Sequence, residues 1–400
     1  MTNCAGCAAE LPHTAPRCSR CHTRYCGSAC QAQHWGNGHK DVCKKIKKHG
    51  GAEQCHADKK YKEAVAVAVE KCADATKGQT CYICMEGDTK EGLVRGCACG
   101  DRESVASGNT GIAHVSCLVR QAKIWMDEGE ENKLDWKAQN ERWNRWHTCN
   151  LCEREYHGVV RCALGWGCWK TYVGRPDTEE VRRTADGAMR GDPLKRQAMG
   201  LLGNALGNAG RYEEAISVLE KKLATDQRLG ADPRRNLVTK QSIACWHQSN
   251  EADAELMVEV FRELHHDTVA LVGPTHSMSF EAASKLTGAM LISSKHHDEL
   301  RLFSREQNRF ARKALGPKHE TTQMLAYAYA ASLHYMDDAS LDERLEAEAI
   351  FADLAKWAQQ VLGDAHPNTA VYTKVLVDCR ARVLRTRAAE ARARAAGEGK

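Results

Sequence analysis

Leu315-Gly316-Pro317-Lys318-His319 is the stretch that decides the fold, because its pattern returns along the chain. It stands in altered form as Leu229-Gly230-Ala231-Asp232-Pro233, as Val272-Gly273-Pro274-Thr275-His276, and as Leu362-Gly363-Asp364-Ala365-His366-Pro367. The four glycines are spaced 43, 43 and 47 residues apart, and the segments between them are Ala/Leu-rich with helical periodicity. Glycine suits the left-handed position that closes a helix, and proline or a short polar residue suits the opening of the next. Each period therefore reads as a hairpin of two helices. One hairpin cannot bury its own apolar face, so the hairpins must stack. Residues 186–385 are expected to form an α-solenoid, and the chain to be mainly α.

Leu202-Gly203, Leu206, Gly210-Arg211-Tyr212, Ala215 and Leu219 resemble a tetratricopeptide repeat, with small residues where two helices touch. The period exceeds the usual ~34 residues. It resembles the longer variety found in kinesin light chains, whose repeats also begin near Leu-Gly-x-x-His-Pro. HEAT-type repeats fit the length but not the Gly-x-Tyr-x-x-Ala pattern. A non-repeating helical bundle is the plainer alternative.

Outward from the repeats, the composition changes. The chain has 20 cysteines and 18 histidines, and all the cysteines but Cys245 and Cys379 stand ahead of residue 172. The cysteines come in pairs with histidines interleaved, and Met1-Thr2-Asn3-Cys4 carries no export pattern. Metal thiolates in a reducing compartment fit this better than disulfides. No apolar run approaches the eighteen or so residues that span a bilayer. A cytoplasmic or nuclear location without membrane association is expected. Five segments follow: a zinc finger over 1–45, a helical linker over 46–78, a second zinc domain over 79–172, repeats over 186–385, and a basic Ala/Arg tail over 386–400.

The formal net charge is +5. From Arg380 to Lys400, seven basic residues face only Glu390 and Glu398, so this end carries the whole excess. The rest of the chain is balanced and offers no broad footprint for a polyanion, so nucleic acid is not an expected partner.

The first cluster runs Cys4-x2-Cys7, Cys18-x2-Cys21, Cys26-x3-Cys30, His39-x3-Cys43. A Cys-x2-Cys turn can bring both sulfurs within about 2.3 Å of one zinc. Eight ligands suffice for two tetrahedral sites, and so small a segment needs the metal to fold. Cys26, Cys30-Gln31, His34-Trp35 and His39-Lys40-x2-Cys43 resemble the MYND finger. That resemblance implies cross-bracing: one zinc on Cys4, Cys7, Cys26 and Cys30, the other on Cys18, Cys21, His39 and Cys43. The family usually has seven residues between the sixth and seventh ligands, and this chain has eight, including Gly36-Asn37-Gly38. His34 is the alternative ligand to His39; packing beside the site is its other reading. MYND fingers generally grip short proline-containing peptides. Some accompany lysine methyltransferases, but no SET-domain motif stands in this chain.

The second cluster runs Cys81-x2-Cys84, Cys97-x-Cys99, His114-x2-Cys117, Cys149-x2-Cys152. Gly96-Cys97-x-Cys99-Gly100, Ala113-His114-Val115-x-Cys117-Leu118 and Trp146-x-Thr148-Cys149-x2-Cys152 resemble the RING-CH domain. The resemblance implies one zinc on Cys81, Cys84, His114 and Cys117 and another on Cys97, Cys99, Cys149 and Cys152, making four structural ions in all. The stretch between Cys117 and Cys149 is longer than usual and reads as an inserted helix with Trp125, Trp136 and Trp143 in its core.

RING-CH domains resemble ubiquitin-protein ligases, which hold a ubiquitin-loaded conjugating enzyme and orient its thioester toward a substrate lysine. The resemblance places that enzyme against Ile83, Leu118 and Leu151, with Arg154 as the cation that clamps ubiquitin. Two departures stand against activity: Asn150-Leu151 replaces a frequent proline, and Glu153 follows the final cysteine where a cation is common. The expected function is a soluble RING-type ubiquitin transferase, with the finger and repeats recruiting substrate proteins or peptides. The alternative is a non-enzymatic zinc scaffold that binds proteins through all three modules.

Cys55, Cys72, Cys162, Cys168, Cys245 and Cys379 fall outside the ligand pattern, and Cys162 and Cys168, which flank Leu164 and Trp166, read as buried thiols. His265-His266-Asp267 and His296-His297-Asp298 lack partners at ligand spacing and read as solvated. No phosphate-binding glycine loop and no Ser/His/Asp constellation is present.

Overall fold

The computed structural model describes residues 3–397 except 10, 12–14, 88–90, 100–110, 176–181, 184–188, 191–192, 294, 337–338 and 365. Met1, Thr2, Gly100, Ala365, Glu398 and Lys400 lie outside the described residues, as does the side chain of Trp136. The chain divides into two compact units. One comprises Met1–Cys97 and Asn109–Gly230, the other Ala98–Gly108 and Ala231–Lys400.

The first unit begins with α1 (Ser28–His34), a kinked five-residue turn (Trp35–His39) and α2 (Lys40–Lys48). The linker helix α3 spans Ala52–Thr76. The stretch read as one inserted helix is two: α4 (Val115–Glu131) and α5 (Trp136–Trp143), the latter capped by Asp135 accepting from the Ala138 N–H. After α6 (Gly158–Tyr172) comes a pair of two-residue strands, β1 (Arg182–Arg183) and β2 (Met189–Arg190). The first repeat hairpin follows as α7 (Leu194–Asn208) and α8 (Tyr212–Arg228).

Helix α6 organises this unit. It is apolar almost all round, packs against α3 and α7, and buries Cys162, Leu164, Trp166 and Cys168. Glycine permits the closest approach: a Cβ at Gly165 would stand 2.7 Å from the Ala205 Cβ on α7. Trp146 is fully buried and stacks edge-on to Tyr172 at 5.6 Å, with Trp143 beside both. These rings share one core with Ala122, Met126, Leu194 and Ala198. The tryptophans of the insert therefore pack the second Cys/His region directly onto the first repeat helix. Within that hairpin, Gly203 lets the two helices touch, since a Cβ there would stand 2.6 Å from Leu219. Asp226 is buried between Arg196 at 3.1 Å and Lys222 at 2.6 Å.

Among the described residues, the second unit is a run of seven helices: α9 (Pro233–Ser249), α10 (Ala254–Val272), α11 (Ser277–Ile292), α12 (His297–Ala314), α13 (Glu320–Tyr335), α14 (Leu341–Val361) and α15 (Pro367–Gly397). Neighbours pack in sequence, and α11 also packs on α13, the one-hairpin-to-the-next contact a solenoid needs. Its cores hold Phe261, Leu286 and Met290 in one layer and Phe351, Leu354, Trp357 and Tyr372 in another.

Three corners of this stack repeat a single device. Gly273, Gly316 and Gly363 have φ of 91°, 91° and 87°, where L side chains are strained. Three residues on, His276, His319 and His366 cap the next helix. The Nδ1 of each accepts from the N–H of Met278, Thr321 or Asn368, at 3.2, 3.2 and 3.1 Å. Three residues further, Ser279, Thr322 and Thr369 donate their hydroxyls back to the carbonyls of the three glycines, at 2.6, 2.9 and 2.7 Å. The corner is thus Gly-x2-His-x2-Ser/Thr. At the corner that begins Leu229-Gly230, Asp232 takes the capping role by accepting from Arg234.

His296 and His265 do not stand as solvated residues. His296 bridges Glu255 at 3.3 Å and Glu299 at 3.2 Å, and the His265 ring packs edge-on to Phe303 at 5.4 Å. The residues that hold them come from other helices or from the following turn, which pair spacing along the chain does not reveal.

Candidate metal centres

All four Cys-x2-Cys pairs fold into the same turn. The N–H of Cys4, Cys18, Cys81 and Cys149 donates to the carbonyl five residues ahead, at 2.7 to 2.8 Å. The N–H four residues ahead returns to the carbonyl of that same cysteine, at 2.8 to 3.0 Å. Closing so tight a loop puts Ala8, His22, Met85 and Glu153 in the left-handed region, at φ of 62°, 60°, 62° and 55°. Inside the turns, the N–H groups of Gly6, Ile83 and Leu151 point at the sulfurs of Cys4, Cys81 and Cys149, each at 3.4 Å. Amide hydrogens aimed at sulfur favour the thiolate, the form that binds metal.

The turns bring sixteen donors into four groups. These are Cys4, Cys7, Cys26 and Cys30; Cys18, Cys21, His39 and Cys43; Cys81, Cys84, His114 and Cys117; and Cys97, Cys99, Cys149 and Cys152. Within each group the donor atoms lie within 4.8 Å of one another. Neighbouring sulfurs stand 3.3 to 3.8 Å apart in the first two groups, near the ~3.7 Å separation that ~2.3 Å zinc–sulfur bonds at tetrahedral angles require. His39 turns its Nε2 to Cys21 at 3.3 Å, and His114 turns its Nδ1 to Cys84 at 3.4 Å. The other nitrogen of His114 lies 3.1 Å from the Gly87 carbonyl, a bond that fixes ring orientation and leaves Nδ1 free to bind metal.

The extra residue before His39 is absorbed at a kink, where Asn37 and Gly38 leave the helical backbone. Gly38 takes φ 106° there, which carries the chain around without displacing His39. His34 lies beside the second group, not in it. Its ring stacks on His39 at 4.9 Å, and its Nδ1 is 2.9 Å from the Tyr25 hydroxyl. Tyr25, fully buried among the thiols, has its pKa pushed up to about 12 by burial and by Cys18 and Cys21. No spacing rule points to Tyr25; its signal is only an aromatic next to a ligand cysteine.

Crowding shows in the acidities. Burial works against ionising Cys4, but the N–H groups of Cys26, Cys7 and Gly6 bring it down to about 6. At Cys18, burial is outweighed by His39 and the backbone of Cys21 and Arg20, again giving about 6. Cys81 falls to about 7 for the same reasons, with Cys84, His114 and Ile83 supplying the N–H groups. Their neighbours resist. Hydrogen bonding to Cys26 pushes Cys30 up to about 12, while burial and then adjacent sulfurs push Cys43 and Cys117 to about 12. Thiols packed this closely ionise together only around a cation. The donor sets fit zinc.

Residues 4–43 match the family model of the MYND finger. The MYND finger here is cross-braced in geometry, with its first and third cysteine pairs in one group and its second and fourth pairs in the other. Its family implies zinc, and the other clusters could hold ions of the same kind. No curated protein matches the chain. Two crystal structures of the nearly identical TPR-like repeats attributed to a Podosopora anserina kinesin light chain are similar at 14% identity, one of them carrying a point substitution. Each covers 62% of this chain and 97% of its own, with TM-scores of 0.36 and 0.35. Among the described residues, no helix is long and apolar enough to cross a membrane.

Of the residues expected to meet a partner, Ile83, Leu151 and Arg154 are half-buried. Leu118 is 6% exposed on the inner side of α4, so it packs the interior and is not available for docking. The most exposed large apolar residue among the described residues of that region is Met85, at 73%, carried out to solvent by the left-handed turn after Cys84. Cys162 and Cys168 are buried thiols whose pKa values burial raises.

Proposed function

We propose that the chain is a zinc-dependent protein-interaction scaffold. Each Cys/His group holds one structural zinc, and the MYND finger and helical hairpins present surfaces to other proteins. The observation that carries the reading is that each group offers four protein donors. Four protein donors fill a tetrahedral ion and leave no position for a reactive water, which is the signature of structural zinc. The ions would hold docking surfaces and perform no chemistry. Metal analysis of the purified chain should find about four zinc ions per chain. The double substitution Cys149→Ser/Cys152→Ser should lower that by one. A value near two in the unsubstituted chain would remove one Cys/His region from the assignment.

A second reading is ubiquitin transfer through residues 81–152. It is favoured by the ligand order that resembles RING-CH and by the interleaved grouping of the four pairs. Ile83 and Leu151, each in a Cys-x2-Cys turn, would receive a conjugating enzyme, and Arg154 would clamp ubiquitin. Glu153, exposed just after the last cysteine, stands against it. Autoubiquitination with a panel of conjugating enzymes decides between the readings, with Cys81→Ala and Ile83→Ala as controls. No product with any enzyme leaves the scaffold reading alone.

A further inference from the structure

Helix α15 has two faces of different character. Tyr372, Val375, Leu376, Cys379 and Val383 are buried, the first four in one core with α14. On another side, Val377 and Leu384 are 59% and 64% exposed. They align with the exposed Ala381, Ala388 and Ala391. The steps 377, 381, 384, 388, 391 alternate four and three, which is the seam spacing of a helix made to pair with another helix. Alanine at alternate positions allows close backbone approach, and Val377 and Leu384 are the knobs.

The residues flanking this seam are Asp378, Arg380, Arg385, Arg387 and Arg392. Arg380 reaches Glu348 on α14 at 3.2 Å. Among the described residues, Arg385, Arg387 and Arg392 have no carboxylate partner, and all three are exposed. Flanking charges choose the partner of a paired helix. A second copy would bring arginine against arginine. Two large aliphatic residues give too narrow a stripe for insertion into lipid.

We infer that the Val377–Leu384–Ala391 seam of α15 docks an amphipathic helix from another protein whose residues beside its own apolar stripe are acidic. This goes beyond the scaffold reading and stands without it, because it rests on the second unit alone.

The test uses the full zinc-loaded chain and a fluorescent acidic peptide of about three heptads, with Leu and Ala along its stripe and Glu beside it. Fluorescence anisotropy should give a Kd on the order of 10 µM, and a Lys-flanked version should bind about tenfold more weakly or worse. Leu384→Asp should weaken the acidic peptide by about tenfold. Arg385→Glu with Arg387→Glu and Arg392→Glu should reverse the preference toward the Lys-flanked peptide, a result misfolding cannot imitate. Three outcomes overturn the inference. One is no binding of the acidic peptide. Another is equal binding by an acidic peptide lacking leucine, which would mean charge attraction only. The third is binding to phosphatidylserine vesicles in place of the peptide.

Discussion

The MYND finger and the second unit are both buried-core structures, but their cores are made of different things. In the finger, the buried cluster is Cys4, Leu11, Ala15, Cys18, Cys21, Tyr25 and Cys43. Four of its seven members are donors in the candidate metal groups. In the second unit, the corresponding cluster is built on Phe351, Leu354, Trp357, Tyr372 and a set of alanines. One core is a set of donor residues with little apolar area, and the other rests on apolar area. What removes metal should destroy the first and spare the second.

Chelation is accordingly the largest expected effect. Structural zinc contributes about 10 kcal/mol or more per site, more than a small segment has in reserve. Treating the chain with a strong chelator should abolish protection of the finger amides in hydrogen exchange while α11 to α14 stay protected. The two finger groups should also differ. Cys7 and Cys26 are exposed, whereas Cys18, Cys21, His39 and Cys43 are all buried, so the first group should release its ion sooner. Simultaneous loss of protection in both units would break the comparison.

Acid should act on the second unit through a different group. His334 is 2% exposed. Burial first, then Arg382 and Arg344, hold its pKa down at about 4 against an ordinary 6.5. The unfolded chain therefore takes up the proton before the folded one does. Stability from this residue is complete above pH 6.5 and is lost as pH falls to about 4, on the order of 3 kcal/mol. Chemical denaturation across that window should show the slope, and His334→Phe should flatten it. An unchanged slope would place the acid sensitivity elsewhere.

The corners should give the smallest effect and sharpen the picture of the repeat. Thr322→Val removes the hydroxyl bonded to the Gly316 carbonyl, and His319→Ala removes the cap on α13. Each should cost about 1 kcal/mol in denaturation midpoint analysis and leave zinc content unchanged.

The helical hairpins were legible because glycine closing a helix is a local backbone requirement, readable from a single residue. The full corner was less legible. His276, His319 and His366 cap helices through Nδ1, and Ser279, Thr322 and Thr369 lock the turn, a pairing visible only once the glycine carbonyl is seen facing the hydroxyl. The donor residues were legible for the same local reason: Cys-x2-Cys spacing dictates a turn that presents two sulfurs. The inserted stretch reads as one helix because its break at residues 132–135 carries no proline or glycine, and Asp135 opens α5 only through its cap.

The sequence by itself determined the Cys/His pairs and their spacing, the positions of the hairpins and the basic character of the last helix, because each is set by neighbours a few residues apart. Only the tertiary structure decided which pairs share a centre. It alone set His39 in the second group with His34 stacked beside it, carried Leu118 into the interior, and joined Trp146 and Tyr172 to the first repeat helix. Those outcomes depend on contacts between residues tens of positions apart, where packing and the balance of burial against hydrogen bonding, not local propensity, choose among the arrangements a sequence allows.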